Sequence, residues 1–138
     1  GGSSSGAALS ATISTPIPVG NTSNGRVTFS DGVLTITRLI PPTPTPTRFR
    51  ALLDMVVAGG TPGTGYNYQW SESEVGSGNG ITFGIATNDR FVAEYDMPAA
   101  GGSVSGSFKC VVTDNTPGTP LTITKQITVV FNYALVIL

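Results

Sequence analysis

The sequence predicts an all-β fold on the strength of three observations. Charged residues make up 11% of the 138 residues, against about a quarter in average domains, and Gly, Ser, Thr, Asn and Pro replace them. Apolar and polar residues alternate in several segments, which is the pattern of strands with one buried face. Turn-forming Gly and Pro residues separate these segments. A chain of this length is expected to form one domain, or one domain with an arm.

The first segment predicts an extended arm. Its apolar side chains fall on one face of a strand, and they are Leu9, Ala11, Ile13, Ile17 and Val19. Pro16 and Pro18 lack N–H donors, which restricts such a strand to a sheet edge or to the surface of a partner. The arm is therefore either the first strand of this domain or a segment that adds to a sheet of a neighbouring subunit.

A hairpin and a spacer are predicted next. Asp31-Gly32 lies between β-forming residues, so residues 26–30 and 33–37 should pair through a tight turn. The Pro/Thr run from Pro41 to Thr47 favours polyproline II, typical of a semi-rigid spacer and also of an SH3-type ligand. The predicted division is an arm, hairpin and spacer in residues 1–47 and a main domain in residues 48–138.

The main domain is predicted to contain six strands, at residues 49–57, 66–70, 81–85, 90–95, 104–112 and 121–130. Trp70 lies on the second of these, and Phe108-x-Cys110 follows about forty residues later. That spacing is typical of an immunoglobulin-like β-sandwich. The Thr-Pro-Gly-Thr turns at residues 61–64 and 116–119 would then lie at the same end of the sandwich.

Two groups of residues resemble immunoglobulin-like and PKD-like modules of bacteriophage structural proteins, with similar modules in bacterial surface proteins. They are Gly59-Gly60-Thr61-Pro62 with Tyr66-x-Tyr68-x-Trp70, and Ser107-Phe108-Lys109-Cys110-x-Val112-Thr113-Asp114. The resemblance covers roughly residues 48–131. It implies a location on a virion surface or outside the cell.

The resemblance also implies a core around Trp70 and Cys110. Leu53 or Met55 stands where a partner cysteine is expected, so Cys110 should pack against Trp70 as a small apolar residue. Phe108 occupies the tyrosine-corner position without a hydroxyl, so it contributes packing alone.

Few residue types suited to catalysis are present. The chain has no His and one Cys, which excludes an imidazole base, the common zinc sites and a thiolate cluster. Glu72 with Glu74 and Glu94 with Asp96 each lie on one face of an extended segment, as a carboxylate pair would. Solvated edge charges that discourage edge-to-edge aggregation are the preferred explanation of both pairs. We expect neither an enzyme nor a cofactor.

Asp89 and Asp114 stand beside turns, where a carboxylate commonly accepts hydrogen bonds from local amides. We therefore predict that each has this structural role.

Charge and hydropathy exclude two kinds of partner. Seven basic and eight acidic residues give a net charge of −1 without a basic run, so no nucleic-acid partner is predicted. No apolar stretch approaches the roughly twenty residues of a membrane span.

The C-terminal tail is apolar on both strand faces. Its apolar residues are Phe131, Tyr133, Leu135, Ile137 and Leu138. Such a tail exposed to water promotes aggregation. We expect it to be buried against a partner or in the core of its own domain.

Together these features predict a non-enzymatic structural subunit of a virion or extracellular assembly, such as a phage capsid-decoration, fibre or tail component. Its arm and tail would dock on copies of itself or on other structural proteins of the particle. One alternative is an adhesion module for host-surface glycan or protein, with Tyr66, Tyr68 and Tyr95 as candidate contacts. Another is a pilus-like filament subunit that polymerises by strand donation.

Overall fold

The structure is a computed structural model that describes residues 8–22, 24–61, 63, 65–73 and 80–135. The described residues form ten strands and no helix. The strands are β1 (Ser10–Ser14), β2 (Gly20–Thr22), β3 (Gly25–Ser30), β4 (Val33–Leu39), β5 (Thr47–Ala58), β6 (Asn67–Glu72), β7 (Thr82–Phe83), β8 (Arg90–Met97), β9 (Gly102–Thr113) and β10 (Thr122–Ala134).

Two sheets pack as a sandwich. One has the strand order β1-β5-β8-β7 and the other β2-β3-β4-β10-β9-β6. An immunoglobulin fold places strands A, B, E and D in one sheet and C, F and G in the other. Here β1, β5, β8 and β7 take the first four positions, while β6, β9 and β10 take the last three. The prediction of an all-β, immunoglobulin-like sandwich is confirmed.

The predicted Asp-Gly hairpin is present and belongs to the larger sheet. Asp31 and Gly32 both have positive φ, 52° and 73°, as a tight hairpin turn requires. β3 and β4 pair through this turn, and β4 also pairs in parallel with β10. The predicted boundary after residue 47 therefore does not separate two units, because strands from both sides of it share both sheets.

The Pro/Thr segment is the connection between the sheets. It follows β4 in the larger sheet and leads into β5 in the smaller one. The Tyr133 hydroxyl donates a hydrogen bond to the Thr45 carbonyl at 2.8 Å, so the segment is held on the domain. A Pro-rich segment can form either a crossover of this kind or a spacer, because neither needs backbone N–H donors.

The arm pairs within its own chain. β1 is antiparallel to β5, from Ser10 opposite Ala58 to Ser14 opposite Asp54. Ala11 of the predicted arm face is buried and Val19 is 60% exposed. The other three, Leu9, Ile13 and Ile17, are half-buried. Residues 10–14 are thus the first strand of the sandwich and not a strand added to a neighbour, because β5 offers them an edge beside the core.

All five residues predicted for the core are buried: Leu53, Met55, Trp70, Phe108 and Cys110. Trp70 and Cys110 lie directly opposite each other on β6 and β9, so their side chains are neighbours on one face. Phe91 of β8 completes this core. Its ring stacks on Trp70 with centroids 4.7 Å apart and lies 5.2 Å from the Phe108 ring.

The C-terminal strand enters the core of its own domain. Phe131 and Tyr133 are buried, because β10 lies between β4 and β9 in the larger sheet. Leu135, just past the strand, is 75% exposed. Ile137 and Leu138 lie outside the described residues. The prediction of burial in the chain's own core thus holds for the part of the tail that belongs to β10.

Candidate functional surfaces

The predicted carboxylate pair on β8 belongs to an ion-pair ladder. On the outer face of the smaller sheet, oppositely charged side chains of β5 and β8 face each other in register. The pairs are Arg48 Nε with Asp96 Oδ1 at 2.8 Å, Arg50 Nη2 with Glu94 Oε2 at 2.9 Å, and Arg90 Nε with Asp54 Oδ1 at 2.7 Å.

This ladder gives Glu94 and Asp96 a structural role, as the ion-pair partners of Arg50 and Arg48. The hydrogen bond from Arg48 lowers the pKa of Asp96, so that carboxyl is ionised and poorly suited to donate a proton. Opposite charges in register stabilise the pairing of two strands. Of the other predicted pair, Glu72 is half-buried at the end of β6, and Glu74 lies outside the described residues.

Three connections meet at one end of the sandwich, and their described residues are 59–61, 63, 65–66, 84–89 and 114–121. The Asn115 amide donates to the Thr61 carbonyl at 2.8 Å, which joins the first and third connections. The second is held by two backbone hydrogen bonds. The Trp70 backbone amide donates to the Ala86 carbonyl at 2.8 Å, and the Met55 backbone amide donates to the Asp89 carbonyl at 2.9 Å. Thr61 of the first Thr-Pro-Gly-Thr segment therefore lies at the same end as the second segment, as predicted, while Pro62 and Thr64 lie outside the described residues.

Asp114 organises this loop end. The side chain is only 2% exposed. Its Oδ1 accepts hydrogen bonds from the amides of Thr116 (3.0 Å) and Leu121 (2.7 Å). Its Oδ2 accepts from the Thr61 amide (2.9 Å) and the Thr116 hydroxyl (2.8 Å). Asp114 was predicted to accept hydrogen bonds from local amides. It also accepts one from the Thr61 amide, in the connection that follows β5 of the other sheet.

The electrostatics of Asp114 follow from these bonds. Burial alone disfavours the charged form, but the donors from Thr116, Thr61 and Leu121 outweigh it and lower the pKa to about 2. A carboxylate that accepts several backbone N–H bonds is stabilised in its ionised state. Asp114 is therefore an anion at neutral pH and fixes two loops relative to each other.

The three tyrosines predicted as glycan contacts are half-buried. Tyr66 donates its hydroxyl to a backbone carbonyl of its own turn at 2.7 Å, and burial raises the pKa of Tyr68. Tyr66, Tyr68 and Tyr95 pack against the core. Ile85, 64% exposed, and Leu121, 43% exposed, lie on the loop-end connections. Leu121 was predicted to begin the last strand, but β10 begins only after it.

A cavity of about 740 Å³ opens where β5 faces the N-terminal hairpin. Four of the chain's seven basic residues line it: Arg26, Arg38, Arg48 and Arg50. Sequence reasoning missed this cavity because the arginines come from β3, β4 and β5, so no basic run marks it. The volume falls within the range typical of ligand pockets.

Cys110 is chemically protected. It is fully buried, and burial raises the pKa of its thiol to about 11. The thiolate is the reactive form of cysteine. We predict that Ellman's reagent at pH 8 leaves the folded chain unmodified and titrates one thiol in guanidinium chloride. Val56→Cys, at a 57% exposed position, is the control that should react while folded. Rapid labelling of the native wild type would contradict the burial.

The described residues contain no group of three or more His, Cys, Asp or Glu side chains that could hold a metal ion. No helix formed by the described part of the chain is long and apolar enough to cross a membrane. Comparisons with protein-family models, with curated proteins and with solved structures found no match to this chain. Function is therefore inferred from the chain's own geometry.

Proposed function

We propose that this chain is a non-enzymatic structural subunit of a virion or extracellular assembly, such as a phage capsid-decoration, fibre or tail component. The observation that supports the proposal is the role of its charged side chains. Asp54, Glu94 and Asp96 pair with arginines across the β5–β8 ladder, and Asp114 holds two loops together. These charged groups are paired within the fold, which favours a structural role over a catalytic one.

The geometry also changes how such a subunit would assemble. Residues 10–14 pair with the chain's own β5, so contacts between subunits fall to other surfaces. Leu135, 75% exposed at the end of β10, is the apolar group best placed for one. A pilus-like subunit needs an open groove in which a donor strand completes the core, but in the larger sheet the chain's own β10 already lies between β4 and β9. That alternative has less support.

A second candidate is the adhesion module. Immunoglobulin-type domains bind ligands through loops clustered at one end of the sandwich. The described residues of the three loop-end connections form such a cluster, with Ile85 and Leu121 exposed on it. A glycan array probed with a multivalent form of the chain tests this candidate, and a blank array would count against a glycan ligand.

Immunogold electron microscopy tests the structural proposal. Antibodies raised against the folded chain should label particles from the source at regular positions, and the chain should sediment with those particles through a sucrose gradient. Pre-absorbing the antibody with purified chain is the control and should remove the label. Recovery of the chain only in the slowly sedimenting fraction, with all particles unlabelled, would overturn the proposal.

A further inference from the structure

The edge of β5 beside the arginine-lined cavity lacks a partner strand in the described structure. β1 ends at Ser14, opposite Asp54, whereas β5 continues back to Thr47. Thr15 still donates its hydroxyl to the Leu52 carbonyl at 2.7 Å. From there the chain leaves the smaller sheet and reaches β2 in the larger one. Residues 47–53, more than half of the long strand, therefore extend beyond the end of β1.

The direction of the backbone groups on this edge follows from two hydrogen bonds. The Leu52 carbonyl accepts from Thr15, on the side of β5 that faces away from β8. The Met55 amide donates to Asp89, on the β8 side. Because backbone groups alternate in direction along a strand, those of Arg48 and Arg50 point to the same side as those of Leu52. The β5 edge thus presents the amides and carbonyls of Arg48 and Arg50, and the amide of Leu52, toward the cavity.

The cavity combines this edge with positive charge and apolar walls. Glu94 and Asp96 pair with Arg50 and Arg48, so the charges of these two arginines are balanced, and Arg38 adds a positive charge to the lining. No acidic residue is among the described residues that line the cavity. Ile17, Val27 and Leu52 supply apolar wall.

Arg38 is the arginine best placed to meet a ligand. Its guanidinium lies over the Phe49 ring, 5.9 Å from the centroid. A guanidinium held over a ring keeps its in-plane N–H groups available for a carboxylate.

We propose that this cavity binds an extended acidic peptide segment of a partner protein, which adds as a strand to the edge of β5 between Arg48 and Leu52. That edge is five residues long, roughly 17 Å of strand. Main-chain pairing supplies affinity in strand addition, and pockets for alternate side chains supply specificity. An anionic glycan has acidic groups that can pair with the arginines, but it has no peptide backbone to pair with the amides and carbonyls of the β5 edge. The proposal does not depend on the structural role proposed above.

Synthetic peptides test the proposal by fluorescence polarisation. The probe is a fluorescein-labelled hexapeptide of alternating Glu and Val, and a Lys/Val peptide of equal length is its control. The Glu/Val peptide should bind, more weakly as salt rises, and the Lys/Val peptide should not. N-methylation of alternate amides removes main-chain donors while it keeps every charge. It should weaken binding by about tenfold or more, the equivalent of about 1.4 kcal/mol.

Variants of the full chain locate the site. Arg38→Ala should weaken binding of the Glu/Val peptide by about tenfold, since a hydrogen bond to a charged group contributes on that scale. Arg90→Ala is the matched control, because Arg90 of β8 pairs with Asp54 of β5 and does not line the cavity. It should bind the peptide like the wild type. Circular dichroism melts confirm that both variants are folded.

Three results would overturn the proposal. The first is absence of Glu/Val peptide binding at millimolar concentration. The second is equal binding of the N-methylated peptide, which would exclude strand addition. The third is a heparin hexasaccharide that binds more tightly than the peptide and depends equally on Arg38, which would assign the cavity to an anionic glycan.

Discussion

Replacing Phe91 with alanine should lower the free energy of unfolding by about 3–5 kcal/mol, the range for removing a large aromatic side chain from a core. Phe91 is fully buried and its ring contacts three others. Trp70 stacks on it at 4.7 Å, and Phe83 and Phe108 each lie 5.2 Å away. The change opens a cavity where both sheets meet. Guanidinium unfolding followed by fluorescence of Trp70, the only tryptophan, measures the loss.

Two further variants make this prediction specific. Phe83→Ala removes the same side chain from β7, a strand of two residues where the ring is only half-buried, so the loss should be clearly smaller. Phe91→Leu fills most of the cavity and should recover part of the stability. Equal losses for Phe83→Ala and Phe91→Ala would contradict a core centred on Phe91.

The core around Trp70 and Cys110 could be predicted because its signal is local. Both residues lie on strands with clear alternation, and their separation is typical of the fold. The central position of Phe91 left no such signal. Its ring partners come from β6, β7 and β9, and their meeting depends on how the two sheets pack. A single strand's periodicity carries no information on that packing.

The pairing of the N-terminal arm and the role of the proline run were harder to predict, because they too depend on tertiary structure. Alternation identifies the arm face that includes Ala11, but it does not say which chain supplies the pairing strand. The proline run after Ile40 is compatible with a linker and with the sheet-to-sheet connection that the structure contains. Composition alone does not distinguish them, because each is an extended segment without ladder hydrogen bonds.

The arginine-lined cavity could not be predicted from any one segment. Arg26 and Arg38 come from the hairpin, whereas Arg48 and Arg50 come from β5. The antiparallel pairing of β3 with β4, and the early end of β1 at Ser14, bring them to one opening. By contrast, the role of Asp114 was partly predictable, since a carboxylate beside a turn commonly bonds its own amides. Its bond to Thr61 required the tertiary structure.

Asp114→Asn should lower the melting temperature by about 5–10 °C. Each carboxylate oxygen accepts two hydrogen bonds, from Thr116 and Leu121 on one side and from Thr61 and Thr116 on the other. An asparagine has one acceptor oxygen, so its NH₂ group must face two donors whichever way the amide turns. Buried donors without acceptors are costly. Asp31→Asn is the matched control, because Asn also tolerates the positive φ of that turn, and it should leave the melting temperature nearly unchanged.

The same variant should change how stability depends on pH. The folded-state pKa of Asp114 is lowered to about 2 from an ordinary value of 3.8. A group with a lowered pKa stabilises the fold above its unfolded-state pKa, and this contribution is lost as the pH falls through the folded-state value. Between about pH 5 and pH 2, wild-type stability should therefore fall more steeply than that of Asp114→Asn, and the two unfolding curves should converge. Melting curves at half-unit pH steps measure this. A difference that stays constant down to pH 2 would mean that the Asp114 charge does not hold the two loops together, and that the variant acts through packing alone.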